Sequence, residues 1–300
     1  MKNRLATPYV LTADVGGSHI TTAICNIETN SIIEESIARV DVSSKDTAEH
    51  ILKGWEKSFD QSIKSVNLTI SGLGIAMPGP FDYENGISYI TGLDKFEAIY
   101  KMNVKQHLAD DLSLDPSIIK FRNDAEASIA GEVWANFGKQ YQNIIGITLG
   151  TGFGSAHYSK GVTKDTNWGS LPFKKGIADE YMSTRWFLKR YYELTGVRAS
   201  EVKELAILGT KNPVVAAIFN EFAENLGDFL EEKVDEFKPE LLIICGNIAK
   251  ASDLFLPQLQ KRLKSLKIEL ARLGENAPLF GVASLFENVE NPQDFCSLDK

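Results

Sequence analysis

Cysteine and histidine are scarce in this chain. Of its 300 residues, three are cysteines and four are histidines. Cys25, Cys245 and Cys296 are far apart and odd in number, so the sequence favours neither a disulfide framework nor a cysteine-ligated metal cluster. Cys25 and Cys245 stand in apolar, strand-like runs and are predicted to be small buried side chains. The four histidines are His19, His50, His107 and His157. They show no metal-ligand spacing, and we interpret them as incidental.

Long apolar runs and an excess of positive charge are also absent. No stretch approaches the ~20 apolar residues of a membrane span, and the apolar residues before Asp14 are too few for a signal peptide. The formal net charge of −8 argues against nucleic acid or an anionic membrane as the main partner. It is compatible with a nucleotide held locally by backbone donors and a metal ion. The expected compartment is the cytoplasm.

What the chain does contain is an alternation of strand and helix patterns. Hydrophobic residues make up 43% of it and charged residues 24%, which is typical of a globular protein. Strands are predicted at 9–13, 20–26, 32–42, 67–76, 118–122 and 241–245, with a further pair of extended stretches within 143–156. Helices are predicted at 47–62, 104–112, 124–134, 179–194, 200–208, 213–237 and 256–266. This order predicts a mixed α/β sheet with helices on its faces.

A turn of small residues between two extended stretches occurs once in each half of the chain. The first copy contains Asp14-Val15-Gly16-Gly17-Ser18, and the second contains Gly150-Thr151-Gly152-Phe153-Gly154. No clear helix follows either copy, unlike dinucleotide-binding and Walker loops. The glycines permit positive φ and a close approach of phosphate, and Asp14 can hold Mg²⁺ directly or through water. Each turn taken alone is also compatible with a plain hairpin that binds nothing.

Two further polar pairs follow predicted strands. Asn123-Asp124 stands at a strand-to-helix junction, where a carboxylate is well placed to accept the proton of a substrate hydroxyl and the amide can orient that hydroxyl. The alternative is a helix N-cap without chemistry, which is the more common use of Asn-Asp. Gly246-Asn247 follows a buried strand, and either lets an adenine or ribose lie against the backbone or forms a simple turn.

The order and spacing of these motifs resemble the ROK family (repressors, open reading frames and kinases) over nearly the whole chain. The resemblance rests on the two glycine turns, on residues 74–82 around Pro78-Gly79, and on Asn123-Asp124 followed by Gly131-Glu132. It implies the actin-like ATPase fold, with two α/β domains of ribonuclease H-like core and an interdomain cleft. We place a smaller N-terminal domain at residues 1–122 and a larger one at 123–285. Residues from about 286 to 300 are expected to pack back onto the first.

The resemblance also implies roles for individual residues. Asp124 matches the general base, and the residues expected to contact the sugar are Asn123, Asp124, Gly79 and Glu180. The residues expected to hold the phosphates of ATP are Asp14, Gly16, Gly17 and Ser18 in the first turn and Gly150, Thr151, Gly152 and Gly154 in the second. Gly246 and Asn247 stand where the family usually has two glycines near the adenosine. Asp14 is also the expected Mg²⁺ ligand.

The chain departs from the family in the segment that reads the sugar hydroxyls. The family commonly has a Glu-x-Gly-His motif, then a cysteine-rich zinc loop, then a glutamate. The corresponding stretch here is Asn167-Trp168-Gly169-Ser170, so Asn167 replaces the glutamate and Ser170 the histidine. The zinc cysteines are absent, so no zinc is expected, and only Glu180 matches the last position. Because the hydroxyl readers differ, glucose is not expected to be the preferred substrate.

Together these features predict an ATP- and Mg²⁺-dependent kinase that phosphorylates a hexose or hexose derivative. Its partner is a small-molecule sugar rather than nucleic acid or a membrane, and a homodimer is compatible with the sequence. Two alternatives stay open: a related kinase that uses polyphosphate as donor, and a sugar sensor that keeps the fold without turnover. Retention of Asp14, Asp124 and both glycine turns favours an enzyme.

Overall fold

The computed structural model describes residues 7–287, which fall into two compact units. The first unit contains the chain up to Ala135 and resumes at Glu275, and the second is Asn136–Gly274. In the first unit the strands are β1 (Tyr9–Val15), β2 (His19–Asn26), β3 (Ser31–Asp41), β4 (Leu73–Met77), β5 (Phe81–Asp82), β6 (Ile87–Ser88) and β7 (Ile119–Asn123). In the second they are β8 (Asn143–Leu149), β9 (Phe153–Ser159), β10 (Val162–Asp165), β11 (Pro172–Phe173), β12 (Gly176–Ile177), β13 (Leu241–Cys245) and β14 (Lys267–Leu270).

The α-helices follow the same division. Those of the early part of the first unit are α1 (Ala48–Lys64), α2 (Val104–Leu112) and α3 (Asp124–Glu132), the last of which continues into a π-helical turn, Val133–Phe137. Those of the second unit are α4 (Asp179–Met182), α5 (Thr184–Thr195), α6 (Val202–Leu208), α7 (Pro213–Phe237) and α8 (Leu256–Arg262). The chain then forms α9 (Ala277–Ala283) in the first unit.

Each unit is built on a five-stranded sheet, and the two sheets have the same plan. The first has the order β3-β2-β1-β4-β7, and the second has the order β10-β9-β8-β13-β14. In each sheet the first three strands are antiparallel, whereas the last two run parallel to the central strand. The predicted repeat of strand, glycine turn and strand is therefore confirmed as the β1–β2 and β8–β9 hairpins.

Local sequence signals explain where the main helices begin. Thr47 caps α1, since its hydroxyl accepts a hydrogen bond from His50 N, and Ile51, Trp55 and Phe59 form the buried stripe of that helix. Asn212 caps α7 in the same way, and a proline occupies the first position of that helix. Cys25 and Cys245 are buried in β2 and β13, as predicted. Among the described residues, no helix combines the length and apolar character needed to cross a membrane.

Several predicted elements need correction. The strand predicted at 67–76 begins only at Leu73, and the helix predicted at 179–194 is broken at Ser183, whose extended backbone separates α4 from α5. The helix predicted to reach residue 134 changes to π geometry after Glu132. The edge strand β14 and the short helix α9 were not predicted from the sequence, because neither contains a periodic pattern long enough to be recognised.

The division into units also differs from the predicted boundaries at 122 and 285. Helix α3 packs against α9 within the first unit. The two backbones approach so closely that a Cβ at Gly281 would lie 1.8 Å from Ala127 O, and one at Gly131 would lie 2.0 Å from Ala277 O. Glycine at both positions permits this crossing, which holds α3 and α9 in the first unit. Of the segment predicted to pack back onto that unit, residues 288–300 lie outside the described part.

Candidate functional site

The carboxyl ends of three parallel strands bring most of the predicted sugar-site residues to one edge of the first sheet. Asp14 in β1 is in register with Ala76 in β4, and Met77 in β4 is in register with Asn123 in β7. Gly79 follows β4 by two residues, and Asp124 begins α3 directly after β7. Open α/β sheets bind ligands at this edge, so the first unit supplies one candidate site from four predicted residues.

The β7–α3 junction is held rigidly. Asn123 is the N-cap of α3: its Oδ1 accepts hydrogen bonds from Ala125 N at 3.0 Å and Glu126 N at 3.1 Å. On the opposite side Arg122 donates to Gly281 O at 2.7 Å and pairs with Glu126 at 3.0 Å. Asp124 is partly exposed at this fixed junction. Both proposed uses of Asn123, capping and orienting a substrate, are compatible with its position, because only its Oδ1 caps the helix while its Nδ2 donates to the Tyr83 hydroxyl.

Tyr83 is a site residue that the sequence did not reveal. Its hydroxyl accepts a hydrogen bond from Asn123 Nδ2 at 3.1 Å and donates to Met77 O at 3.1 Å. A Cβ at Gly79 would lie 3.1 Å from the same hydroxyl. Tyr83 thus ties the Gly79 turn to the amide of Asn123. It stands in no recognisable motif, and only the short β5–β6 hairpin places it here.

Asp14 lies in an environment that disfavours its negative charge. Burial raises the pKa of Asp14 to about 7, with further increases from the charges of Asp124 and Glu275, while Arg39 acts in the opposite direction. Two carboxylates close together in a partly buried position favour an added cation. The donor set at this edge therefore fits the Mg²⁺ ligand that the sequence predicts, since Mg²⁺ prefers carboxylate oxygen.

The first glycine turn connects β1 to β2. Gly16 N donates to His19 O at 2.9 Å, and the carbonyl of Gly17 accepts from Ser44 N at 2.9 Å. Gly17 and Ser18 are exposed, and within residues 7–287 their N–H groups have no hydrogen-bond acceptor. Neither Gly16 nor Gly17 has the positive φ that the sequence permits. What this turn offers a phosphate is a pair of free backbone donors.

The second glycine turn connects β8 to β9. Gly150 N donates to Gly152 O at 3.1 Å, and Thr184 N donates to Gly150 O at 2.8 Å. Thr151 and Gly152 are exposed, and their N–H groups likewise lack an acceptor in the part of the chain that the structure describes. Here too the glycines do not adopt positive φ. Gly154 lies within β9, in register with Thr148.

Asp179 fixes this second turn, although the sequence analysis selected its neighbour Glu180 instead. Its Oδ1 accepts a hydrogen bond from Phe153 N at 2.7 Å, and its carboxylate also pairs with Arg185. A Cβ at Gly152 would lie 3.0 Å from the same Oδ1. Nothing in the spacing distinguishes Asp179 from Glu180, so only the structure assigns the turn contact to Asp179.

Gly246 lies directly against the second glycine turn. It follows β13, whose last residue, Cys245, is in register with Thr148 in β8. Gly246 has φ 93° and ψ 173°, and a Cβ there would lie 2.3 Å from Leu149 O, immediately before Gly150. Gly246 and Asn247 are both exposed. The second unit thus brings the predicted adenosine and phosphate residues together at the carboxyl ends of adjacent parallel strands.

The segment expected to read the sugar hydroxyls forms a small aromatic hairpin. Asn167 and Ser170 are exposed, and Glu180 is exposed against the β11–β12 hairpin, where its Oε2 accepts from Ile177 N at 3.3 Å. The Phe173 ring of this hairpin packs edge-on against Phe229, with centroids 5.6 Å apart. Aromatic packing therefore stabilises this hairpin against α7. The sugar-binding role of Glu180 and the absence of zinc stay predictions.

Asp14→Asn is expected to stabilise the metal-free protein more at pH 8 than at pH 5. The folded carboxyl keeps its proton up to about pH 7, whereas its ordinary pKa is 3.8, so the folded state binds more protons between these values. Asp14 therefore contributes stability at low pH that is lost as pH rises through this window. Asparagine resembles the protonated acid and does not titrate. Between pH 5 and pH 8 the difference in unfolding free energy between Asp14→Asn and wild type should increase by at most about 3 kcal/mol.

Urea unfolding of EDTA-treated wild type and variant at the two pH values measures this difference. Asp60→Asn, on the exposed face of α1 where Asp60 pairs with Lys64, is the matched control and should show little change. If wild type and Asp14→Asn differ by the same unfolding free energy at both pH values, Asp14 titrates normally.

Comparisons with known proteins identify the family to which this chain is similar. The ROK family model matches residues 10–289. The chain is 22% identical to an N-acetyl-D-glucosamine kinase of Haemophilus influenzae, over 91% of this chain and 97% of that protein. It is 23% identical to a beta-glucoside kinase of Listeria innocua, over 75% of this chain and 82% of that protein.

The fold is that of solved ROK structures. The chain superimposes on a ROK family glucokinase from Streptomyces griseus, solved in complex with glucose and AMPPNP, with a TM-score of 0.75. The identity is 20%, and the match covers 92% of this chain and 98% of that one. The predicted actin-like ATPase fold is therefore confirmed. On the match of the family model to nearly its whole length, this chain belongs to the ROK family.

Proposed function

We propose that this protein is a sugar kinase that transfers the γ-phosphoryl group of ATP to a hydroxyl of a hexose or hexose derivative. The observation that carries the proposal is the rigid β7–α3 junction, which presents the Asp124 carboxylate beside the Asn123 amide at the same sheet edge as Asp14. Asp124 Oδ1 also accepts from Ala125 N at 2.9 Å, which fixes the carboxylate at this junction. Membership of a family whose named relatives are sugar kinases supports the same chemistry.

Asp124 is the proposed general base. Its carboxylate accepts the proton of the attacking hydroxyl, while the Nδ2 group of Asn123, held by Tyr83, orients a neighbouring hydroxyl. Phosphoryl transfer depends mainly on positioning and on neutralisation of charge, so a fixed carboxylate at this point serves the reaction without covalent chemistry. Gly79 leaves space beside these groups, because a Cβ there would lie 3.1 Å from the Tyr83 hydroxyl and 3.9 Å from Asn123 Nδ2.

Each unit contains residues that are proposed to hold ATP. In the first, Gly17 and Ser18 offer free backbone N–H groups, and Asp14 supplies the carboxylate for Mg²⁺. In the second, Thr151 and Gly152 offer free N–H groups, next to the Gly246 backbone where the adenosine would lie. When bound, magnesium neutralises the charge that develops on the transferred group. A protein that works on ATP and a free sugar fits the cytoplasm.

The test is an ADP-release assay with glucose, mannose, fructose, N-acetylglucosamine and N-acetylmannosamine side by side. We expect ATP-dependent phosphorylation of at least one sugar, with glucose not giving the highest kcat/KM. The reason is that Asn167 and Ser170 offer different hydrogen-bonding groups from the carboxylate and imidazole of the family motif, and a polar site rejects partners that leave its groups unpaired.

Two further measurements separate the alternatives. With polyphosphate in place of ATP no ADP forms, so the sugar phosphate itself is measured to detect a different donor, and calorimetry with each sugar detects binding without turnover. Phosphorylation with polyphosphate but not ATP would replace the proposed donor. Binding of a sugar with no phosphorylation by either donor would favour a sensor. Glucose as the best substrate would refute the argument from Asn167 and Ser170 and leave the kinase assignment in place.

A further inference from the structure

Three side chains from two helices of the first unit converge away from the candidate sugar site. They are Glu56 on α1 and His107 and Asp111 on α2, and their ligand atoms all lie within 4.8 Å of one another. His107 Nε2 is 3.0 Å from Asp111 Oδ2 and 3.9 Å from Glu56 Oε1. The sequence interpretation treated His107 as incidental, because its partner on α1 is remote in the chain.

The spacing of these atoms is close to that of a metal coordination sphere. Ligand atoms about 2.1 Å from one Zn²⁺ ion in a tetrahedral arrangement lie about 3.4 Å from each other. The observed 3.0 Å and 3.9 Å bracket that value, so small side-chain rotations would complete the geometry. His107 and Asp111 are four residues apart on one helix face, which is the spacing by which a helix presents two ligands to one ion.

Glu56 and Asp111 place two carboxylates around the single imidazole of His107. Burial and a direct hydrogen bond with Asp111 raise the pKa of Glu56, which indicates that the two acids crowd each other. His107 and Lys53 act in the opposite direction on the pKa of Glu56, and Lys53 is also paired with Glu49 at 2.6 Å. An open cavity of about 540 Å³ lies against the cluster, with Leu52 and Met102 as its apolar wall, and gives a hydrated ion access.

We propose that Glu56, His107 and Asp111 form a binding site for a divalent transition-metal ion of the Zn²⁺ class that links α1 to α2. One imidazole nitrogen and two carboxylate oxygens suit such an ion better than Mg²⁺ or Ca²⁺, which prefer oxygen alone. Three protein ligands leave a coordination position for water, and the ligands are partly exposed. The ion is therefore held reversibly, independently of the cysteine-ligated zinc that the family's loop would carry.

The chain provides a matched control for this proposal. His50 and Asp46 form a similar pair, with His50 Nδ1 3.0 Å from Asp46 Oδ1, also four residues apart, but with no third ligand among residues 7–287. If a histidine–aspartate pair alone were enough, both pairs would bind the ion equally. If the third ligand and the cavity matter, only the His107 pair should do so.

The experiment is calorimetric titration of Zn²⁺ into the EDTA-treated full chain and into His107→Ala and His50→Ala. We expect the wild type and His50→Ala to share a site that His107→Ala binds at least tenfold more weakly. Zn²⁺ should also raise the thermal unfolding temperature of the first two proteins more than that of the third. Any binding of Zn²⁺ at Asp14 is common to all three proteins and cancels in the comparison.

Equal Zn²⁺ affinity of wild type and His107→Ala would overturn the proposal and leave His107–Asp111 as a simple ion pair. Equal losses in the two histidine variants would overturn it as well, since the third ligand would then be irrelevant. If His107→Ala fails to fold, Glu56→Gln and Asp111→Asn replace it, because each removes one ligand charge while keeping the shape of the side chain. Each of these is then expected to bind Zn²⁺ at least tenfold more weakly than wild type.

Discussion

Asp124→Asn is expected to lower kcat by about 10²–10⁴-fold while the protein stays folded and still binds its sugar. The amide keeps the size and shape of the side chain but cannot accept the proton of the attacking hydroxyl. The helix cap survives, because Asn123 Oδ1 still accepts from Ala125 N and Glu126 N, and the amide oxygen of the new side chain can keep the hydrogen bond that Asp124 Oδ1 accepts from Ala125 N at 2.9 Å. The loss of one carboxylate in the first turn of α3 costs only about 0.3–1 kcal/mol through the helix dipole.

The measurement combines steady-state kinetics, calorimetric titration of the best sugar and thermal unfolding. Asp60→Asn, which removes a carboxylate from the exposed face of α1, is the control and should retain wild-type kcat. If Asp124→Asn keeps more than half of the wild-type kcat, Asp124 is not the base. If instead it loses sugar affinity to the same extent as kcat, its role is binding rather than proton transfer.

Sequence periodicity predicted the elements that are long and locally determined. Helices α2 and α7 have the predicted bounds, 104–112 and 213–237, because caps and apolar stripes lie within the segments themselves. The two strand–turn–strand hairpins were predicted from their small residues. In contrast, β14 and α9 depend on partners distant in the chain: β14 pairs with β13, and α9 packs on α3. Nothing within their own few residues determines either element.

In the candidate site, too, the residues that could be predicted are those determined by their neighbours in the sequence. Asn123 and Asp124 were predicted because a strand end and a helix start adjoin in the sequence. Tyr83 and Asp179 were missed because their contacts, with Asn123 Nδ2 and Phe153 N, join residues 40 and 26 positions apart. The glycines of the phosphate turns do not use the positive φ that they permit, since those turns close through ordinary backbone geometry. Of the predicted site glycines, Gly246 is the one with positive φ.

Gly246→Ala is expected to be the most damaging small substitution in the second unit. The added Cβ would lie 2.3 Å from Leu149 O and 2.8 Å from Leu149 N and C, which are backbone atoms of a central strand and cannot rotate away. The φ of 93° is a conformation that alanine rarely adopts. The variant must displace the end of β13 from the end of β8, so we expect destabilisation of about 3 kcal/mol or more together with at least tenfold weaker nucleotide binding.

Gly161→Ala separates the backbone penalty of a positive φ from the steric clash, because Gly161 has φ 88° but no heavy atom within 4 Å of the added Cβ. It carries the backbone penalty without the clash, and should lose only about 1 kcal/mol and keep nucleotide affinity. Urea unfolding and calorimetric titration with a non-hydrolysable ATP analogue measure both quantities on each variant. Equal effects of the two substitutions would show that the approach of Gly246 to Leu149 is not a constraint. Weakened folding with unchanged nucleotide affinity in Gly246→Ala would remove Gly246 from the proposed adenosine site, because the displaced backbone is the surface against which the adenosine is proposed to lie.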